Sequence, residues 1–134
     1  MQVTETLSQL VREKWSSLLG QDFEITDEDT HRVVLESPAV QVVTVHDPRG
    51  EVDVSVSPRN RDWPQRWSYA GMVGRASVGR LLELALAEMR AEPAILDGDR
   101  DFYERLGKEN EASSHAWTDY YAGRGPRPGD KHLP

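Results

Sequence analysis

RVVLESPAVQVVTVHDPRGEVDVSVS, residues 32–57, decides the fold. In its last part, EVDVSVS (51–57), Val52, Val54 and Val56 share one phase while Asp53 and Ser55 take the other. Successive side chains of a strand point to opposite faces, so this alternation predicts a strand with one wet side. AVQVVTVH (39–46) behaves differently, because Val40 and Val42 fall in one phase and Val43 and Val45 in the other. Such a strand is either covered on both faces or bulged near residue 42. Between the two runs, DPRG (47–50) has proline second and glycine fourth, as a type I turn prefers. Ser37-Pro38 supplies an earlier bend, and Phe23 and Ile25 alternate with charged neighbours ahead of the polar TDEDTH turn. Three to four strands joined by short turns predict an antiparallel meander.

Working outward, the period changes from two to that of a helix. In residues 4–19, Leu7, Leu10, Val11, Trp15, Leu18 and Leu19 recur every three or four positions. Thr4 is placed to cap that helix, and Gly20 to end it in the left-handed conformation. Residues 58–76 read as a long irregular connection. SVGRLLELALAEMR (77–90) then carries Val78, Leu81, Leu82, Ala85 and Met89 on one stripe, with Ser77 as a cap and Pro93 as a stop. A last helix is expected from Asp99, with Phe102, Leu106, Ser113, Trp117 and Tyr120 roughly on one face; Gly107 and KENEASS are where it would split. The expectation is an α+β domain over residues 1–122, a three- to four-stranded antiparallel meander with helices packed on one face. Residues 123–134, rich in Gly, Pro and charge, read as a disordered or extended tail.

Composition narrows the function. A chain of 134 residues is one domain by length and can fold without staples. With no cysteine, disulfides, thiolate catalysis and Cys-ligated zinc are excluded. The absence of cysteine fits a reducing cytoplasm, and MQVTETLSQL lacks the basic and apolar regions of a secretory signal. No apolar run approaches the length of a membrane span. Thirteen arginines against three lysines suit a GC-rich bacterial genome. The net charge of −7 is uneven: residues 1–57 carry 11 acids against 4 bases, and 83–119 carry 10 against 4. Residues 58–82 reverse the sign, with 5 arginines and one acid. A surface acidic overall repels phosphate backbones and attracts a basic partner.

The exceptions to that balance are the candidate sites. PRNRDWPQRW (58–67) and its continuation place Arg59, Arg61, Arg66 and Arg75 around Trp63 and Trp67. Arginine forks onto carboxylates and phosphates, so this 59–80 stretch is the candidate for an anionic small ligand or nucleotide. For the tryptophans, covering the sheet edge is the favoured reading, at roughly two to one. GMVG (71–74) lacks the basic or small residues of a backbone-clamping loop and no Gly-Lys-Ser/Thr follows it. DGDRD (97–101) opens like a calcium loop but has Phe102 where glycine is needed and Lys108 where glutamate is needed. His31, His46, His115 and His132 are scattered, with no metal-ligand spacing. No catalytic or cofactor fingerprint is present. For protein contact, the acidic run Asp27, Glu28 and Asp29, the acids from Asp97 to Glu111, and the aromatic group Trp117, Tyr120 and Tyr121 are the candidates.

The order helix, meander, long loop, helix, helix, with an acidic balance, resembles the small bacterial immunity proteins that accompany polymorphic toxins. Residues 32–57 and LLELALAEM (81–89), about half the chain, carry that resemblance. It implies a cytoplasmic, non-enzymatic protein-binding module without cofactor or metal, neutralising a basic toxin. It transfers no individual functional residue. A domain that binds an anionic ligand, as an enzyme or otherwise, is the alternative, and a homodimer through the sheet edge or the aromatic face is a third reading.

Overall fold

A computed structural model describes residues 6–59, 65–72 and 77–126. Five strands, β1 (Glu24–Glu28), β2 (Arg32–Glu36), β3 (Val40–His46), β4 (Glu51–Pro58) and β5 (Trp67–Met72), form one antiparallel sheet in sequential order. Helices α1 (Leu7–Lys14) and α2 (Ser16–Leu19) precede the sheet; α3 (Val78–Ala91), α4 (Ala94–Asp97) and α5 (Arg100–Tyr121) follow it. The class is α+β, and the meander has five strands where the sequence predicts three to four. The additional strand is β5, inside the stretch read as irregular. Its signal was the pair Trp67 and Tyr69, two aromatics at strand spacing that pack side by side, ring centroids 6.2 Å apart.

The valine phases sort the two faces. Val33 and Leu35 of β2, Val40 and Val42 of β3, and Val52, Val54 and Val56 of β4 join one core with Val11, Trp15, Val78, Leu82, Ala85 and Met89. The helices α1 and α3 pack on that face and on each other. Each fully buried aliphatic side chain stabilises by roughly 1.5–3 kcal/mol relative to exposure, and a nearly unbroken valine layer is the main attachment of helix to sheet. Val43 and Val45 lie on the opposite face, half-buried and 36% exposed. The expected alternatives for β3 are both corrected. Its register with β2 and β4 is continuous, so no bulge sits near residue 42, and Val45 lacks full cover. The bulge falls instead in β1, between Ile25 and Asp27.

Local chemistry also adjusts the first helix. Its cap is Thr6, in a reciprocal box with Gln9: the Gln9 N–H donates to the Thr6 hydroxyl (3.1 Å) and the Thr6 N–H to the Gln9 side chain (2.8 Å). Thr4 lies outside the described residues. The predicted single helix breaks at Trp15, whose buried indole donates to the Leu82 carbonyl at 2.9 Å and thereby ties α1 to α3. Gly20 ends α2 with φ −80°, not in the left-handed region. Left-handed glycines appear where turns tighten. Gly50 (φ 101°) closes the 47–50 turn by donating to the Asp47 carbonyl (2.9 Å). At Gly98 (φ 65°) a Cβ would stand 2.9 Å from the Ala39 carbonyl oxygen, so only glycine lets α4 end against the β2–β3 turn.

α5 starts as expected, with the Asp99 carboxylate accepting from the Phe102 N–H (2.9 Å). It does not split at Gly107. A single helix of 22 residues, roughly 33 Å long at 1.5 Å per residue, runs to Tyr121.

Candidate protein-binding surface

Among the described residues, the buried contacts of α5 with the body are made near its start. Tyr103 is 1% exposed, and its hydroxyl donates to the Ile95 carbonyl at 2.7 Å. Phe102 meets the Tyr103 ring edge-on at 5.1 Å and packs against the core. Gly107 is half-buried because the Gln65 side chain fills the space its own would need, 2.6 Å from an ideal Cβ. Residues 108–115 are then all exposed. A helix advances 100° per residue, so the face holding Phe102, Tyr103 and Leu106 continues through Asn110 and Ser113 to Trp117, Tyr120 and Tyr121. The apolar stripe therefore stops at the body and resumes beyond it.

There the three aromatics pack on one another. Trp117 lies over Tyr121 (5.7 Å, interplanar 26°) and edge-on to Tyr120 (5.8 Å, 83°). Tyr120 and Tyr121 remain 37% and 79% exposed. The helix closes below them: Gly123 (φ 74°) donates to the Tyr120 carbonyl, and Arg124 pairs with Asp119 at 3.2 Å. Glu109 and Glu111 stand exposed on the same overhang and make no ion pair with another described residue.

The acidic run 27–29 is differently placed. Asp27 pairs with Arg32 at 2.9 Å, and Glu28 with Arg12 at 2.8 Å. The Ser8 hydroxyl, which also bonds Glu28, holds that carboxyl below its ordinary range, with Arg12 acting in the same sense. Asp29 accepts from the His31 N–H at 2.8 Å and shapes the β1–β2 turn. Two of the three charges are thus neutralised within the fold.

Of the four arginines, Arg61 and Arg75 lie outside the described residues, as does Trp63. Arg59 braces the β2–β3 turn, donating to the Ser37 carbonyl (3.0 Å) and pairing with Glu36 (3.3 Å). Arg66 is exposed beside β5. None of the described arginines from that stretch lines the open cleft of about 460 Å³ between the α2–β1 connection, the β2–β3 turn and α3–α4. That cleft has an apolar floor of Phe23 and Met89, with Arg90, Asp22 and Asp97 along its walls. Arg90, which donates to the Ser17 hydroxyl, forms no ion pair with a described residue. Sequence reasoning missed it because the lining residues are spread over 80 positions of the chain.

Among the described residues no three His, Asp or Glu side chains converge on a common point, and no helix is long and apolar enough to cross a membrane. Comparison of the chain with protein-family models, curated proteins and solved structures returns no match.

Proposed function

We propose that this chain is a non-enzymatic, acidic protein-binding module that captures a basic protein through the distal half of α5. Neutralisation of a basic toxin, as by an immunity protein, is the specific form we favour. The observation that carries the reading is the Trp117–Tyr120–Tyr121 cluster, with both tyrosines exposed, on the distal part of the same helix that carries the exposed Glu109 and Glu111. Aromatic anchors supply affinity when a partner desolvates them, while unpaired acids speed encounter. The net charge of −7 acts in the same direction.

The test is capture of a basic partner by the wild type and by Trp117→Ala/Tyr121→Ala at low and high salt. Loss of an anchor of this kind costs on the order of 2 kcal/mol, about thirtyfold in Kd, and salt should weaken capture. Equal recovery by both proteins at both salt concentrations would overturn the assignment.

A small anionic ligand is the second reading, favoured by the cleft beside Arg90. Thermal-shift titration with phosphate, nucleotides and simple carboxylates tests it: stabilisation by one of them, abolished in Arg90→Ala, supports it, and no shift with any anion refutes it.

A further inference from the structure

Among the described residues the sheet ends at β1 on one side and β5 on the other, and the chemistry of these two strands is opposite. β1, EITDE, carries Glu24, Asp27 and Glu28 and is kinked by its bulge. Bulges and charges are devices by which edge strands resist pairing with another chain. A second copy of β1 laid antiparallel on the first would bring carboxylate against carboxylate. β5, WSYAGM, has neither device: its six residues contain no charge and no proline, in a chain that is 29% charged. Its register with β4 is regular from Glu51↔Met72 to Val56↔Trp67, so its outer edge is straight.

We propose that β5 pairs with β5 of a second copy of this chain, antiparallel about a two-fold axis centred on Tyr69, joining the two sheets edge to edge. The occupant follows from charge. Two-fold pairing sets each strand against itself, which penalises a strand whose charges are all of one sign, as in β1, and leaves a neutral one unopposed. The register follows from face and size. Trp67, Tyr69 and Gly71 share the core-facing side with Val56, Val54 and Val52, while Ser68 and Ala70 are exposed on the other. For both copies to keep their cores on one side, residues of like phase must oppose. Centring on Tyr69 places Tyr69 against Tyr69, and Trp67 of each copy opposite Gly71 of the other. A large aromatic over a cross-strand glycine is a known stabilising pair at sheet edges. Centring on Ala70 would set Tyr69 against Gly71 and carry Trp67 beyond the end of the partner strand. The half-buried, mutually stacked Trp67 and Tyr69 are thereby covered.

Because each copy carries −7, association through a neutral edge is opposed by long-range repulsion and tightens with salt. That is the reverse of the salt response expected for capturing a basic partner, so the two ideas fail separately. Sedimentation of the full chain at high micromolar concentration should show twice the 15.2 kDa monomer mass, with the dimer fraction rising with salt. In the Tyr69-centred register Ser68 faces Ala70 of the partner. Ser68→Glu/Ala70→Glu then sets like charges opposite twice and should weaken the dimer by roughly tenfold. Ser68→Lys/Ala70→Glu sets opposite charges there and should restore it. Both positions are exposed, and circular dichroism of the second variant checks that they accept charge without unfolding. A wild type monomeric at all salt concentrations overturns the proposal, as does a Glu/Glu variant that dimerises undiminished. Failure of the Lys/Glu variant to recover overturns the register.

Discussion

α5 carries two groups of aromatic residues on one face, and they meet opposite fates. Phe102 and Tyr103 sit where the helix crosses α4, so their rings are covered and the Tyr103 hydroxyl finds the Ile95 carbonyl. Trp117, Tyr120 and Tyr121 lie four to five turns further along the same stripe, where their neighbours are one another. Residue type and helical phase are the same at both ends; what differs is whether a body stands opposite. Burial stabilises a fold only where a second surface removes water from the ring. The proximal group is therefore expected to carry stability, whereas in the distal group Tyr120 and Tyr121 remain exposed among the described residues.

The sharpest way to break that contrast is at Tyr103. Tyr103→Ala removes a buried ring and should cost about 3–5 kcal/mol, read as a large fall in the urea midpoint. Burial also pushes the Tyr103 phenol well above its ordinary value of 10.0, because desolvation disfavours the phenolate. A raised folded-state pKa means that this contribution is complete below pH 10 and is lost as pH climbs through the folded value. Spectrophotometric titration should therefore show one tyrosine ionising only as the protein unfolds in alkali. Tyr103→Phe keeps the ring and orphans the Ile95 carbonyl, a loss of about 1–3 kcal/mol, and abolishes that delayed phase.

The hinge between the two regions is Gly107. An alanine there meets the far end of the Gln65 side chain, which can swing into solvent, while the helix interior gains over glycine. Gly107→Ala should raise stability by about 0.5 kcal/mol. A loss of more than 1 kcal/mol in the same denaturation would mean that Gln65 is a fixed contact anchoring α5.

Periodicity made the proximal half of the molecule legible. Every valine of 51–57 and every stripe residue of α3 fell on the face that its spacing dictated, because those residues have a covering layer close in sequence phase. β5 was hidden by its flanks, since Pro58, Pro64 and a cluster of arginines read as loop while only Trp67 and Tyr69 kept strand spacing. Among the surface candidates, charge runs were the poorest guide. Asp27, Glu28 and Arg59 look available in a linear chain, yet each finds an opposite charge 5–23 residues away once strands pair. Trp117, Tyr120 and Tyr121 were visible as a cluster; their exposure was not, because a helical stripe does not reveal where the body beneath it ends.

The smallest expected effect is the most telling. Trp117→Ala/Tyr121→Ala deletes two large rings, an alteration that in a core would be catastrophic. Here the rings cover mainly each other, so stability in urea should move by no more than about 0.5 kcal/mol, as for ordinary surface positions. The tryptophan signal offers a parallel measurement. Trp15 is fully buried and reports global unfolding, whereas Trp117 reports the overhanging helix alone. Iodide quenching of native wild type should exceed that of the variant, with an unchanged unfolding midpoint for both. A coincident loss of about 2 kcal/mol or more in unfolding free energy, on the order of a lost core contact, would show that the distal aromatics are packed on the body, and the separation between the two ends of α5 would collapse.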